Sequence, residues 1–312
     1  MPALSNADHA LAQIMRHGQR LQKLRGQGFP QDDPEPLHQW RVGCRRLRTA
    51  LRQFAPLLVL PAGVSPERVA ALARSAGQCR DLDVMDERLR RDLLPDLPAH
   101  EREALAPVLR ELGRRRRKAA EDSAAMLAGG RCHALLSRLE VWRAQPRFTA
   151  LAREPLEDWR VIWLAPVWSE LFLQAGWWPD AADLKALDRL RRRLKASRYA
   201  LEGLEGALSG AQQGWLLSFR TAQDCLGSIQ DLVVLRATLG DRRLAAASER
   251  CPSLTQRLER EQEQQLARWS ELASWWRQPP TRQALIRDLG AAVATEPGTD
   301  SPGPPAACPA PC

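Results

Sequence analysis

"LHQWRVGCRRLRTALRQF", residues 37–54, sets one histidine and five arginines on eighteen residues with no acid among them. His38, Arg41, Arg45, Arg48 and Arg52 step by 3, 4, 3 and 4, the spacing at which side chains share one face of an α-helix. Trp40, Cys44, Leu47, Leu51 and Phe54 alternate in the same way and form an apolar face about 100° from the first. The stretch therefore reads as a helix anchored by an apolar stripe and edged by a cationic one. From Arg41 to Arg52 the cationic stripe runs about 16 Å at the helical rise. Like charges at i, i+4 cost a helix about 0.2–0.5 kcal/mol per pair. For one such row alone a solvated helix face is the plainer reading; the missing acids, the recurrence of the row in both halves and the acidic remainder of the chain weigh against it. A guanidinium stays charged at physiological pH and pairs with phosphate oxygens through two N–H groups, so arginines at this pitch suit a chain of phosphates.

The rest of the chain sharpens that contrast. Its 312 residues suffice for one large domain or two small ones, and 44% hydrophobic with 27% charged residues is ordinary globular usage. Eleven tryptophans against one tyrosine predict a tryptophan-rich core. Residues 36–54, 110–118 and 185–198 hold net charges of five, five and six, while the whole chain nets +9, so the remainder is negative by seven. A mildly acidic body with three basic stripes fits a polyanionic partner. The seven cysteines form no Cys-x-x-Cys pair, which argues for a reducing compartment and against a zinc ribbon or disulfide framework. No signal peptide is visible, and the most apolar run, "VIWLAPVWSELFLQAGWW", contains Pro166 and Glu170 and is too short to span a bilayer. A cytoplasmic protein with no membrane contact is expected.

Strand patterns are nearly absent, and Ala, Leu, Arg, Glu and Gln dominate, so the fold class is all-α. Helices are predicted over about 5–26, 36–58, 66–92, 99–128, 131–144, 156–176, 182–206, 212–240 and 252–276, with a short one near 281–294. Ser65 before Pro66 reads as an N-cap followed by a first-turn proline. The end of the chain, "TEPGTDSPGPPAACPAPC", is too rich in Pro, Ala and Gly to build a core and is expected to be disordered.

The chain also repeats itself. At an offset of 150 residues, Arg41 meets Arg191, Arg45 meets Lys195, Arg48 meets Arg198 and Leu51 meets Leu201. The same offset lays "GQCRDLDV" (77–84) over "GSIQDLVV" (227–234), with Gly77 on Gly227 and Asp81 on Asp231. Two matches at one offset imply duplicated halves. Arg110, Arg114 and Arg117 make a third basic row. Asp81 and Asp83 could be an acid/base pair or a metal site, but only Asp81 has a counterpart. The expected role of Asp81 and Asp231 is to orient arginines of the neighbouring basic helices by ion pairs. His9, His17, His100 and His133 are isolated and read as surface or packing residues.

Together, "LHQWRVGCRRLRTALRQF", "GQCRDLDVM", "LDRLRRRLKASRYALEGL" and "CLGSIQDLVVL", in this order, resemble the conserved histidine α-helical domain, CHAD. The resemblance covers roughly residues 5–276, within a domain taken as 1–276. Its halves fall at about 5–145 and 155–276, and 277–312 holds the short helix and the tail. It implies two pseudo-symmetric four-helix bundles whose basic helices face a central groove or pore that binds inorganic polyphosphate, and association with polyphosphate granules in bacteria. Carried over by position, the phosphate-binding set is His38, Arg41, Arg45, Arg46 and Arg48, extended by Arg52, in the first half. In the second half it is Arg191, Arg193, Lys195, Arg198 and Tyr199, and Arg114 and Arg117 join from the third row. Where the family's second half has its histidine, this chain has Asp188, and Pro166 and Glu170 stand where the first half has Arg16 and Arg20. The first half is therefore expected to grip more tightly.

Family members often accompany a triphosphatase with an acidic Glu-x-Glu-x-Lys motif on a β-barrel, and neither is present here. "EQEQQ" at 261–265 lacks the lysine. No phosphate-cradling Gly-rich loop, nucleophile motif or metal cluster appears, so no enzyme and no cofactor is expected. The alternative reading is a nucleic-acid-binding protein, against which the stripes lack interleaved aromatics for base stacking. A metal-dependent phosphohydrolase is the third.

Overall fold

The computed structural model describes residues 4–30, 33–178, 183–204, 208–241, 244–245 and 249–290. Ten long helices dominate these residues. They are α1 (Asn6–Gln27), α2 (Glu35–Gln53), α3 (Pro66–Arg88), α4 (Ala99–Ala128), α5 (Gly130–Ala144), α6 (Leu156–Phe172), α7 (Leu184–Glu202), α8 (Gly210–Leu239), α9 (Pro252–Arg277) and α10 (Pro279–Gly290). Among the described residues the only β pairing is two isolated bridges, Ser5 with Pro155 and Leu58 with Phe148, so the chain is all-α as expected. The predicted disordered tail, with Cys308 and Cys312, lies outside the described residues.

Local chemistry sets the helix starts. Ser5 caps α1 through a reciprocal box with Asp8, and Ser65 Oγ accepts the Arg68 amide at 3.3 Å, with Pro66 in the first turn of α3. Asp183 caps α7 by accepting the Lys185 amide at 2.9 Å.

The chain forms two compact units, Met1–Leu156 with Leu239–Thr255, and Glu157–Thr238 with Gln256–Cys312. In the first unit α1 packs on α2, α2 on α3, α3 on α4 and α4 on α5, and α5 returns to α1, so a fifth helix closes the ring. The apolar stripe of α2 points inward, with Trp40, Cys44, Leu47, Leu51 and Phe54 buried together with Ile14 and Leu21 of α1. Gly43 makes this approach close, since a Cβ there would lie 2.9 Å from Leu21 Cδ2. Residues 239–255 belong here for a concrete reason. Glu101 of α4 is only 1% exposed, and its carboxylate accepts the Ser253 amide at 2.9 Å and the Leu254 amide at 3.2 Å, capping the start of α9. Leu244, Cys251 and Leu254 are buried beside it.

The second unit is built around tryptophan. Trp276 of α9 lies 5.2 Å from Phe219 of α8, 5.4 Å from Trp177 and 5.7 Å from Trp215 between ring centroids. Trp168 of α6 stacks on Phe219 at 5.0 Å. The indole N–H of Trp215 donates to Asp288 of α10, that of Trp177 to the Leu171 carbonyl, and that of Trp269 to the Gly176 carbonyl. The apolar side of α7, with Leu187, Leu190, Leu194 and Leu201, is buried in this unit.

Candidate anion-binding face

In the first unit the cationic stripe of α2 lies along the helix edge that its apolar anchor leaves accessible. His38, Arg41, Arg45, Arg46 and Arg48 are half-buried and Arg52 is exposed. Burial first, then Arg52, Arg74 and Arg45, push the Arg48 pKa below its ordinary value, partly offset by Glu67. The guanidiniums are therefore close enough to repel one another. His38 is likewise held below the usual histidine range, by burial and then by Arg80, with Arg41 and Arg45 adding to it and Glu35 opposing. Among the described residues no ion pair involves Arg16, Arg48, Arg74 or Arg80.

The face is wider than one helix. Arg16 and Arg20 of α1 and Arg46 of α2 surround His17, which is buried, and burial followed by these three charges lowers its pKa to about 4. Arg20 donates to Gln39 of α2. Arg74 and Arg80 of α3 act on Arg48 and His38 from the other side. His17, read from the sequence as a bystander, is thus a neutral packing residue inside the cationic cluster. The acid-free run between Asp8 and Asp32 would have drawn attention to Arg16 and Arg20. Nothing in the spacing of Arg74 and Arg80 announces them.

The Asp81/Asp83 pair divides between two neighbours. Arg41 Nη1 donates to Asp81 Oδ1 at 3.0 Å and to the Gly77 carbonyl at 2.7 Å, which joins Asp81 to an arginine of the α2 stripe. Asp81 itself is 59% exposed at its side chain. Asp83, buried at 7%, pairs instead with Arg116 of α4. Two residues along a helix turn about 200°, so one carboxylate serves α2 and the other α4, and they do not converge on a common ligand. Among the described residues no group of three or more His, Cys, Asp or Glu side chains could hold a metal.

The α4 row is tied down locally. Arg114 makes a two-pronged contact with Glu111 at 2.8 Å through each nitrogen, and Arg115 reaches Glu111 at 2.9 Å and Asp241 at 3.4 Å. These arginines hold the Glu111 carboxyl down at about 2. Arg114 lies about 200° around the helix from Arg116, which faces α3, so it turns away from the α2 side of α3. Arg117 is exposed. The structure does not join Arg114 to the α2 stripe.

On α7 the expected cations meet carboxylates. Arg191 donates to Asp188 Oδ1 at 3.1 and 2.7 Å, and Arg192 pairs with the other oxygen. Burial alone would raise the Asp188 pKa, but these two arginines bring it below the ordinary carboxylate value. Arg193 pairs with Glu170 of α6. Arg198 lies 3.6 Å from Glu202, which also stands 3.7 Å from Arg220. Lys195 is half-buried and Asp231 is exposed on α8. Tyr199 is buried, 8% exposed, with the Arg198 guanidinium 4.9 Å from its ring centroid, so its ring packs in the core and is not displayed to a ligand.

The five described cysteines, 44, 79, 132, 225 and 251, are buried free thiols, and burial pushes Cys79 and Cys225 up to about 11. No described helix is long and apolar enough to cross a membrane.

The described residues fold mainly into helices, and α2 with its neighbours carries an arginine-rich face. The comparisons place the chain more closely. The CHAD domain model matches residues 8–240. The fold is similar to the crystal structure of the CHAD domain from the plant Ricinus communis, at 23% identity and a TM-score of 0.59, covering 94% of each chain. It is also similar to PptA from Streptomyces chartreusis, at 18% identity and a TM-score of 0.67, covering 86% of this chain and 99% of that one. No match was found among curated proteins. The chain belongs to the CHAD domain family.

Proposed function

We propose that the protein binds inorganic polyphosphate without transforming it, chiefly through His38, Arg41, Arg45, Arg46, Arg48 and Arg52 of the first unit, with Arg16, Arg20, Arg74 and Arg80 widening the grip. One observation carries this reading: Arg48 stands among Arg45, Arg52 and Arg74, close enough for their charges to lower its pKa. Such crowding is unfavourable in the free protein and is relieved when a dense line of phosphate oxygens arrives. A cytoplasmic role at polyphosphate granules follows from the family resemblance.

Nucleic acid is the competitor to test. Trp40 of α2 and Phe54 at its end are buried, so among the described residues the α2 stripe offers no stacking platform for bases. The deciding experiment measures binding of labelled polyphosphate at several salt concentrations, with DNA or RNA added at equal phosphate concentration. Tight binding that weakens steeply with salt and resists displacement supports the reading. Ready displacement favours nucleic acid, and phosphate release by pure protein with Mg²⁺ or Mn²⁺ makes it a hydrolase.

A further inference from the structure

The second unit has acids at positions where the first has basic residues. Glu170 stands 150 residues after Arg20, Asp188 after His38, Glu202 after Arg52 and Asp224 after Arg74. The positions that keep their charge are Arg191, Lys195 and Arg198, after Arg41, Arg45 and Arg48. The core of the stripe is thus retained and acids replace the basic residues along its flanks.

Three of these acids touch the cations of their own unit. Asp188 takes Arg191 and Arg192, Glu170 takes Arg193, and Glu202 lies within 4 Å of Arg198 and Arg220. A carboxylate offers a guanidinium the same pair of oxygens that a phosphate does. Being tethered, it competes at an effective concentration no dilute ion can match. A single small anion therefore meets an α7 whose arginines are already engaged, whereas a chain delivering many phosphates at once can displace the carboxylates together.

We propose, resting on the polyphosphate reading, that Glu170, Asp188 and Glu202 are specificity-determining residues: built-in competitors that close the α7 stripe to short anions and leave it open to long, densely charged chains. A purely stabilising role is the contrast. The exposed Glu170–Arg193 pair contributes about 0–1 kcal/mol, so neutralising Glu170 changes folding little. Asp188 and Glu202 are 13% and 12% exposed at their side chains, so the ligand affinity of folded variants is the discriminating readout.

The test compares the full chain with its Glu170→Gln/Asp188→Asn variant, titrated with tripolyphosphate and with long-chain polyphosphate. The variant is expected to bind the short chain about three- to tenfold more tightly, with a smaller gain for the long one, so selectivity for length falls. Glu170→Gln alone, at a more exposed side chain, should give part of the same gain and guards against misfolding of the double variant. Unchanged or weaker binding of the short chain by folded variants overturns the inference while the polyphosphate reading stands. Failure of the unsubstituted chain to bind polyphosphate of any length overturns both, and that result is read without the variants.

Discussion

Helices α2 and α7 carry arginine or lysine at the same three positions 150 residues apart, yet they present different surfaces. Around α2 the neighbouring helices add Arg16, Arg20, Arg74 and Arg80, and α3 also brings two carboxylates to the stripe, Asp81 on Arg41 and the exposed Glu67, 3.4 Å from Arg52. Around α7 the neighbours are Asp188 and Glu202 from the helix itself and Glu170 from α6. The number of cations on a helix therefore says little about its pull on an anion. On the proposed reading, acids that share the face weaken that pull, because each paired guanidinium must exchange a partner before it gains a phosphate.

The largest expected effect tests this contrast directly. Arg45→Ala with Arg48→Ala should weaken polyphosphate binding about a hundredfold, taking a charged hydrogen bond as worth about 1.5–3 kcal/mol and discounting for exposure. Arg191→Ala with Arg198→Ala should cost about threefold, since those groups are partly neutralised already. Equal losses in titrations at one salt concentration would break the comparison.

Acid sensitivity comes next. His17 has a folded pKa of about 4 and an unfolded value near 6.5, so the unfolded chain binds more protons throughout that window. Stability falls as pH drops from 6.5 towards 4, by about 2 kcal/mol at pH 5. The residue 150 positions on is Val167, which cannot titrate. His17→Val, followed by chemical denaturation at pH 7 and pH 5, should remove this component of the acid loss.

The smallest effect concerns aim. Asp81→Asn should weaken binding about threefold and folding by less than about 1 kcal/mol, because the Asp81 carboxylate is exposed and Arg41 keeps its bond to the Gly77 carbonyl. A full-strength binder carrying this substitution would show that Arg41 needs no guide.

Much of the fold was legible in the sequence. The alternating steps of three and four placed α2 and α7, turn residues bounded them, and the tryptophans were assigned to the core, where Trp40, Trp177, Trp215 and Trp276 lie fully buried. The cationic stripe was legible for the same reason, since one helix determines its own faces. Partners on other helices were not. That Asp83 turns to Arg116 depends on α4 packing beside α3. The burial of Tyr199 against the core, like the gathering of Arg16, Arg20 and Arg46 around His17, depends on packing that a helical wheel cannot show.

The carboxylate of Glu101 has a practical consequence for anyone dividing the protein. A fragment stopped at Leu156 would omit the backbone amides of Ser253 and Leu254 and the apolar cover of Leu244, Cys251 and Leu254. The excised piece would lose a capped helix start and expose the seat beneath it. Reassembling that unit calls for grafting the distant stretch 239–255 back on through a linker, rather than for a simple truncation.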